Sequence, residues 1–169
     1  MDLFRSPWLT HAAKAITLFG SSPWTVLLMV GMSWWWRDSR RNLMVFWGSW
    51  VMGVLLEVIL RLWVGHGRPD AGPIPASADV LTHLQVAGFP SGHAFRSAFV
   101  CGWWASSLRH RKPPWPSVAV IGGGMMILLI GLSRVYLLRH WWTDVVGGWV
   151  VAAIVLTIAR GQTTQEHTK

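Results

Sequence analysis

The sequence predicts an all-α integral membrane protein: a bundle of five transmembrane helices, or six, with an amphipathic N-terminal helix in the membrane interface. Hydrophobic residues make up 52% of the 169 residues and charged residues only 13%, far from a soluble average. Five apolar runs divide the chain, and many of the 14 tryptophans fall near their ends, where indole anchors a span at the headgroup level. We expect one domain over residues 1–169.

Residues 1–20 predict a helix that lies in the interface. Apolar residues recur there at helical spacing. The other side of the helix is polar and carries Arg5, Thr10, His11, Lys14 and Thr17. Such a helix suits the interface better than the hydrocarbon, and the Gly-Ser-Ser-Pro sequence at 20–23 ends it. A sixth, degenerate span over this segment is the alternative.

The five apolar runs are the predicted spans, and they cover residues 23–36, 43–64, 92–108, 117–132 and 144–159. Several are shorter than the ~20 residues that an upright helix needs to cross the hydrocarbon. Flanking tryptophans and arginines would extend them by snorkelling, or the bilayer would thin locally.

Basic residues predict the orientation of the bundle. They cluster after the first, third and fifth runs, as Arg37, Arg40, Arg41, Arg109, Arg111, Lys112 and Arg160. With five alternating spans these segments share one face, which the positive-inside rule makes cytoplasmic. An outer loop at 65–89 and residues 134–143 then lie on the opposite face. This topology fits a bacterial inner (cytoplasmic) membrane.

The net charge of +8 does not indicate nucleic-acid binding, because the basic residues flank apolar runs instead of forming a stripe with stacking aromatics. The single cysteine, Cys101, excludes an intrachain disulfide. His66, Asp70, Asp79 and His83 share the outer loop, but their spacing matches no metal motif. We expect them to be solvated loop residues, and we expect neither a metal nor a cofactor.

Three polar motifs interrupt the apolar chain. The first is Arg61 with Arg68-Pro69, the second is Pro90-Ser91-Gly92-His93, and the third is Ser133-Arg134 with His140 and Asp144. In the third motif, His140 and Asp144 are four residues apart and would share a helix face. A carboxylate there fixes the imidazole tautomer and leaves the other nitrogen free as a nucleophile. A capping or surface contact is the alternative for such a pair taken alone.

The other two motifs supply the chemistry of an anion site. Ser91 and Gly92 start an apolar run, where free backbone N–H groups and the helix dipole favour a phosphate, and His93 is placed for proton transfer. An ordinary N-cap is the alternative for this tetrapeptide. A guanidinium matches phosphate oxygens as a bidentate fork. Three arginines accompany the motifs: Arg61, Arg68 and Arg134.

The three motifs together resemble the signature of the type 2 phosphatidic acid phosphatase (PAP2) superfamily, the membrane-embedded lipid phosphatases. The pattern is basic-x6-Arg-Pro, Pro-Ser-Gly-His and Ser-Arg-x5-His-x3-Asp, and it covers the chain from Arg61 to Asp144. One departure is the arginine at position 61, where the family usually has lysine. Positive charge is kept, but arginine contacts a phosphate as a fork and lysine as a point.

The resemblance implies a role for each matched residue. His140 would attack phosphorus and form a phosphohistidine, and Asp144 would orient it. His93 would protonate the leaving lipid oxygen and then activate water. The phosphoryl oxygens would be held by Arg61, Arg68, Ser91, Gly92 and Arg134. This scheme requires no metal.

Glu57 lies within the second predicted span, four residues before Arg61. An ionisable group at that depth is costly unless it is paired. We therefore expect Glu57 to orient Arg61, with an unrelated packing role as the alternative. Arg96 and Ser97, one turn beyond His93, are expected to support the site, with contact to the substrate headgroup as the alternative.

The resemblance implies a membrane-lipid phosphate as substrate and the bilayer as partner. Related enzymes act on undecaprenyl pyrophosphate, phosphatidylglycerol phosphate, phosphatidic acid and lipid A phosphate, and we favour an isoprenyl pyrophosphate or a glycerophospholipid. The alternatives are a lipid phosphotransferase using the same phosphohistidine, a vanadium-dependent haloperoxidase, and a non-catalytic transporter or scaffold. Five apolar runs argue against the soluble haloperoxidases, and the intact His93, His140 and Asp144 argue against a non-catalytic protein.

Overall fold

The computed structural model describes residues 6–35, 39–109, 112 and 114–164, and its regular structure there is helical, apart from two isolated β-bridges. The described residues form α1 (Pro7–Leu18), α2 (Ser22–Trp35), α3 (Arg40–Val64), α4 (Val80–Val86), α5 (Gly92–Leu108), α6 (Trp115–Tyr136) and α7 (Trp142–Thr164). The predicted all-α class is confirmed. Arg5, Arg37 and Arg111, which entered the sequence argument, lie outside the described residues.

Local sequence signals set several helix ends. Pro7 occupies the first turn of α1, where the missing N–H costs no helical hydrogen bond. Ser39 and Asp79 cap α3 and α4, each accepting a hydrogen bond from the backbone N–H three residues on. Gly65 ends α3 with a φ of 59°, a left-handed conformation that glycine adopts at no steric cost.

Three helical segments are long and apolar enough to cross a membrane: α3, α6 and residues Trp142–Gln162 of α7. The pair formed by α1 and α2 passes the same test only as one span, bent by 44°. The helix α5 matches the predicted run at 92–108 but has only 17 residues. Helix length and composition within the described chain therefore support three spans, or four.

The helix α5 lies at the centre of the bundle and packs against α6, α7, α2 and α3. Its Phe95 and Phe99 are fully buried. Phe95 stacks on Trp50 of α3 with ring centroids 5.6 Å apart, and Phe99 stacks on Phe46 at 5.9 Å. Stacked aromatic pairs bury a large apolar area and also favour particular ring orientations. The two pairs therefore hold α3 against α5.

Glycines let α7 approach the start of α5 closely. A Cβ at Gly148 would lie 2.5 Å from the carbonyl oxygen of Ser91 and 3.0 Å from the Cβ of Ala94. A Cβ at Gly147 would overlap the ring of Phe89. Small residues at such crossings allow close backbone packing. The contact brings the second and third motifs to the same end of the bundle.

The outer loop covers that end. Trp141, just before α7, donates from its indole to the carbonyl oxygen of Gly67 over 3.1 Å. Arg139 in the same connection forms an ion pair of 2.8 Å with Asp70. The backbone N–H of Gly88 donates to the carbonyl oxygen of His66 over 2.6 Å. All three motifs therefore lie together beneath one loop cluster.

Candidate active site

The backbone joins the second and third motifs directly. The N–H of Ser91 donates to the carbonyl oxygen of Asp144 over 2.8 Å, so this amide is not free for an anion, unlike the sequence-based expectation. The Oγ of Ser91 is instead buried and has no hydrogen-bond partner among the described residues. Gly92 and His93 are the first residues of α5, where backbone N–H groups have no acceptor within the helix.

His140 and Asp144 meet although they do not share a helix. The helix α7 begins at Trp142, so His140 belongs to the preceding connection and Asp144 to the first turn. Nδ1 of His140 lies 3.4 Å from Oδ2 of Asp144, within ion-pair range but longer than a hydrogen bond. The same Oδ2 accepts from the backbone N–H of Trp141 over 2.9 Å. Both side chains are buried, at 2% and 0% exposure.

His66 is a site residue that sequence reasoning missed. Its Nδ1 lies 3.1 Å from Oδ1 of Asp144, so the carboxylate lies between two imidazoles. With 45% of its side chain exposed, His66 is a solvated loop residue as expected, but it also contacts the carboxylate of the candidate site, which the sequence did not predict. Its place inside the first motif, two residues before Arg68, was the one signal in the sequence.

Two other outer-loop residues also have partners. Nε2 of His83, which is half-buried, lies 3.2 Å from the carbonyl oxygen of Arg61. Asp70 is exposed, as expected of a solvated loop residue, and it pairs with Arg139. Asp79 is exposed, and hydrogen bonds from Thr82 hold the pKa of its carboxyl below the usual value. No group of three or more His, Cys, Asp or Glu side chains in the described chain is arranged to hold a metal ion.

The arginines of the first motif bind the backbone around the second. Arg61 donates from Nη1 to the carbonyl oxygen of Leu84 over 3.3 Å and from Nη2 to that of Pro90 over 3.5 Å. Arg68 donates from Nε to the carbonyl oxygen of Ala87 over 3.2 Å. These bonds fix both guanidinium groups beside the loop that leads into α5.

Glu57 is a buried carboxylate between two arginines. Its Oε1 lies 2.7 Å from Nη2 of Arg61, the predicted partner, and its Oε2 lies 3.4 Å from Nη2 of Arg96 on α5. Glu57 is only 4% exposed. A Cβ at Gly92 would overlap both Glu57 and Arg96, so the glycine makes room for this cluster. Pairing on both oxygens is what makes a charge at this depth tolerable.

The surroundings of His140 favour the neutral imidazole. Burial lowers the pKa of His140 and outweighs the opposing effect of Asp144, while the guanidinium groups of Arg134 and Arg68 lower it further. Burial and the charge of Arg61 likewise lower the pKa of Arg68. Several cations thus crowd around one imidazole, an arrangement that an anion would stabilise.

His93 and Arg134 complete the set of predicted residues. His93 lies in the first turn of α5, within electrostatic range of Arg134 and His140. The carbonyl oxygen of Arg134 accepts a hydrogen bond from the backbone N–H of His140 over 3.3 Å. The Nε of Arg134 is buried and has no hydrogen-bond partner in the described chain. A Cβ at Gly88 would lie 2.8 Å from Oδ2 of Asp144, so only glycine lets the outer loop approach the carboxylate this closely.

The family model of the PAP2 superfamily matches residues 42–167, which contain all three motifs. The chain belongs to the PAP2 superfamily. Membership makes it a hydrolase of phosphoric esters, in agreement with the phosphatase names of its relatives. The predicted family and enzyme class are confirmed.

Relatives and a solved structure resemble this PAP2 chain over most of its length. Phosphatidylglycerophosphatase B of Bacillus subtilis is 32% identical over 168 residues, covering 94% of this chain and 77% of that protein. Undecaprenyl-diphosphatase BcrC of Bacillus subtilis is 28% identical over 118 residues, covering 70% of this chain and 56% of that protein.

The crystal structure of a transmembrane PAP2-type phosphatidylglycerolphosphate phosphatase from Bacillus subtilis matches with a TM-score of 0.76 and 28% identity. The match covers 97% of this chain and 81% of that one. Together with the long apolar helices, this likeness makes the PAP2 chain a multi-pass membrane protein.

Proposed function

We propose that this PAP2 protein hydrolyses a phosphomonoester or diphosphate of a membrane lipid through a phosphohistidine at His140. The observation that carries the proposal is a buried imidazole held beside a fixed carboxylate and surrounded by guanidinium groups. Asp144 is fixed by the N–H of Trp141 and by His66, so it can orient His140 without moving. An oriented neutral imidazole with nearby positive charge suits attack on a phosphoryl group.

The reaction then takes two displacements. The free ring nitrogen of His140 attacks phosphorus, the bond from phosphorus to the lipid oxygen breaks, and His93 gives its proton to that oxygen. Asp144 stabilises the cationic ring of the phosphohistidine. In the second step His93 takes a proton from water, the resulting hydroxide attacks phosphorus, and phosphate leaves with His140 neutral again.

The remaining residues stabilise the charge of the transferring group. Arg68 and Arg134 lie near His140, and Arg61 is held by Glu57. The unpaired Oγ of Ser91 and the first N–H groups of α5, beginning at Gly92, offer further donors. Preorganised donors of this kind supply most of the catalysis in phosphoryl transfer, and no step needs a metal or a cofactor.

The substrate we favour is a glycerophospholipid phosphate or an isoprenyl diphosphate, in line with what the two relatives are named for. The test is phosphate release by the purified chain in detergent, with chelator, from phosphatidylglycerol phosphate, undecaprenyl diphosphate, phosphatidic acid and lipid A phosphate. We expect release from at least one of the first two. Release that requires a second lipid as acceptor would instead identify a phosphotransferase.

The proposed topology has five spans, α2, α3, α5, α6 and α7, with α1 in the outer interface and the active site on the outer face of a bacterial cytoplasmic (inner) membrane. Arg41 at the start of α3 donates to the carbonyl oxygen of Gln162 near the end of α7 over 2.6 Å, which supports placing both ends on one face. With 17 residues, α5 is short for a membrane span. Its neighbours enclose it, so it does not have to match the thickness of the lipid hydrocarbon by itself.

Cysteine labelling tests this topology. In a Cys101→Ser background, Ser77→Cys in the outer loop should react with an impermeant maleimide added outside intact cells, because the loop faces outward. Ser39→Cys before α3 should react only after permeabilisation. Labelling of both cysteines from the same side would contradict the five-span arrangement.

Replacement of His66 tests whether it positions Asp144. Loss of a hydrogen bond to a charged group costs about 1.5–3 kcal/mol, so His66→Ala should lower kcat by about tenfold or more with KM within about twofold. His66→Asn is the matched variant, since its amide can donate from nearly the same place, and it should retain most of the activity. Equal activity of wild type, His66→Ala and His66→Asn would exclude this role.

A further inference from the structure

A basic cavity of about 380 Å³ lies between α1 and the connection that follows α6. Its polar lining comprises Thr10, Lys14, Thr17, Arg134, Tyr136 and Arg139. The volume exceeds what one phosphoryl group needs and leaves room for a glycerol unit beside it. None of the proposed reaction steps uses the part of this cavity formed by α1.

The polar face of α1 forms one wall of the cavity. Thr10, Lys14 and Thr17 are spaced four and three residues apart, so they lie on one side of the helix. Thr17 accepts a hydrogen bond from Nη1 of Arg134 over 3.2 Å, and the hydroxyl of Thr10 lies 3.4 Å from that of Tyr136. Thr10 and Thr17 are therefore held toward α6, and Lys14, which lies between them on the same side of the helix, is exposed and lines the cavity.

The cavity carries positive charge that no acidic side chain of the described residues pairs with, apart from the partner of Arg139. Neither Lys14 nor Arg134 has an acidic side chain within ion-pair distance in the described chain, whereas Arg139 is paired with Asp70. The Nε of Arg134 is also buried without a partner there. Two cations that lack an acidic partner among the described residues, beside three hydroxyl groups, form a site that a phosphoryl oxygen can complete.

The cavity adjoins the reaction site through Arg134. The guanidinium of Arg134 contacts Thr17 in the cavity, and it is also close enough to His140 to lower that pKa. Three residues beyond Thr17, a Cβ at Gly20 would lie 3.3 Å from the Cβ of His93. A group held in the cavity would therefore be separated from the scissile phosphoryl group by about the width of the Arg134 guanidinium.

We propose that this cavity is a subsite for the second, non-scissile phosphoryl group of the substrate headgroup, with Lys14 as its specificity-determining residue. The inference rests on the proposed lipid phosphatase function and deepens it. Phosphatidylglycerol phosphate carries that second group one glycerol away from the scissile one, and a lipid diphosphate carries it directly attached. Phosphatidic acid has none, so it gains nothing from Lys14.

The test compares kcat/KM for wild type and Lys14→Ala on lipids that differ in the second phosphoryl group. The first pair is phosphatidylglycerol phosphate against phosphatidic acid with identical acyl chains, and the second is an isoprenyl diphosphate against its monophosphate. A charge-assisted contact is worth about tenfold or more, so Lys14→Ala should lower kcat/KM about tenfold on a two-phosphoryl lipid, through KM. Activity on the matching monophosphate should stay within about twofold.

Two variants control for charge and for damage to α1. Lys14→Arg should retain the preference, and His11→Ala, on an exposed residue of α1 that does not line the cavity, should leave both substrates unaffected. A loss confined to one of the two pairs supports the subsite and identifies the spacing it accepts. Equal losses on both members of each pair, or no loss, would overturn it. Absence of phosphate release by wild type from every lipid would overturn the proposed function itself.

Discussion

Replacing His140 with alanine should abolish phosphate release, with kcat falling by roughly 10⁴-fold or more, as for the loss of a nucleophile in other covalent enzymes. The reason is that in the proposed mechanism His140 supplies the atom that bonds to phosphorus, while the arginines around it can only stabilise charge. Alanine leaves those arginines and the anion site in place. Substrate should therefore still bind, and we expect KM to change far less than kcat. The measurement is steady-state phosphate release from the best lipid substrate in detergent.

A chemical trap separates a nucleophile from a structural histidine. With a ³²P-labelled substrate and rapid quenching, wild type should yield acid-labile, base-stable labelled protein, and His140→Ala should yield none. Asp144→Asn is the informative comparison, because it keeps the nucleophile and removes the orienting charge. It should form the same labelled species more slowly.

The His140 assignment has clear conditions for failure. His140→Asn keeps polar bulk at this buried position, so loss of activity in an asparagine variant that keeps the wild-type thermal unfolding midpoint excludes loss of folding as the cause. Residual turnover above about one hundredth of wild type would mean that another group attacks phosphorus. His11→Ala, at an exposed site on α1, should behave as wild type in every assay.

The sequence predicted the helices well because each is encoded locally. Runs of apolar residues ended by Gly, Pro and polar caps coincide with α2, α3, α5, α6 and α7, and 92–108 matches α5 at both ends. The ends of α6 and α7 extend past the runs, since Trp, Arg and Tyr continue a helix beyond its purely apolar part. The number of spans was harder to predict from the sequence, because α5 is short and whether it crosses the membrane depends on the helices that surround it.

The site was predictable where its signal is an ordered motif and not where it depends on packing. Nothing in the spacing of His66 and Asp144, 78 residues apart, indicates contact; it requires Gly88 to admit the outer loop beside the carboxylate. The engaged N–H of Ser91 likewise follows from the close approach of α7 at Gly148. Such tertiary contacts have no one-dimensional signature in a single sequence.

Replacing Glu57 with alanine should destabilise the protein and impair the reaction at once. The change leaves Arg61 and Arg96, each with a side chain only 15% exposed, buried without their carboxylate. Breaking a buried ion pair by removing one partner costs about 3–5 kcal/mol. We expect the thermal unfolding midpoint in detergent to fall and kcat/KM to drop, because Arg61 loses the contact that aims it toward the loop at Pro90.

Glu57→Gln separates the structural effect from the positioning effect. The amide keeps the shape of the side chain and one acceptor oxygen, so Glu57→Gln should be more stable than Glu57→Ala. The positive charge of Arg61, however, is no longer balanced by a carboxylate. Unchanged KM and turnover in Glu57→Gln would refute the positioning role. Arg96→Met is the matched control, since it removes the other contact of Glu57 and leaves the 2.7 Å pair with Arg61 intact.

A double-mutant cycle then decides through which arginine Glu57 acts. If Glu57 acts through Arg61, Arg61→Met alone should lower kcat/KM as much as Arg61→Met combined with Glu57→Ala, because without Arg61 there is no guanidinium for Glu57 to orient. If the two losses multiply, Glu57 supports the site by another route, with Arg96 as the remaining partner.

Arg61→Lys tests the departure from the family pattern in the same assay. The ammonium group of a lysine can still pair with Glu57, but it cannot also bind the carbonyl oxygens of Leu84 and Pro90, as the guanidinium of Arg61 does. We expect activity in Arg61→Lys to survive with a raised KM.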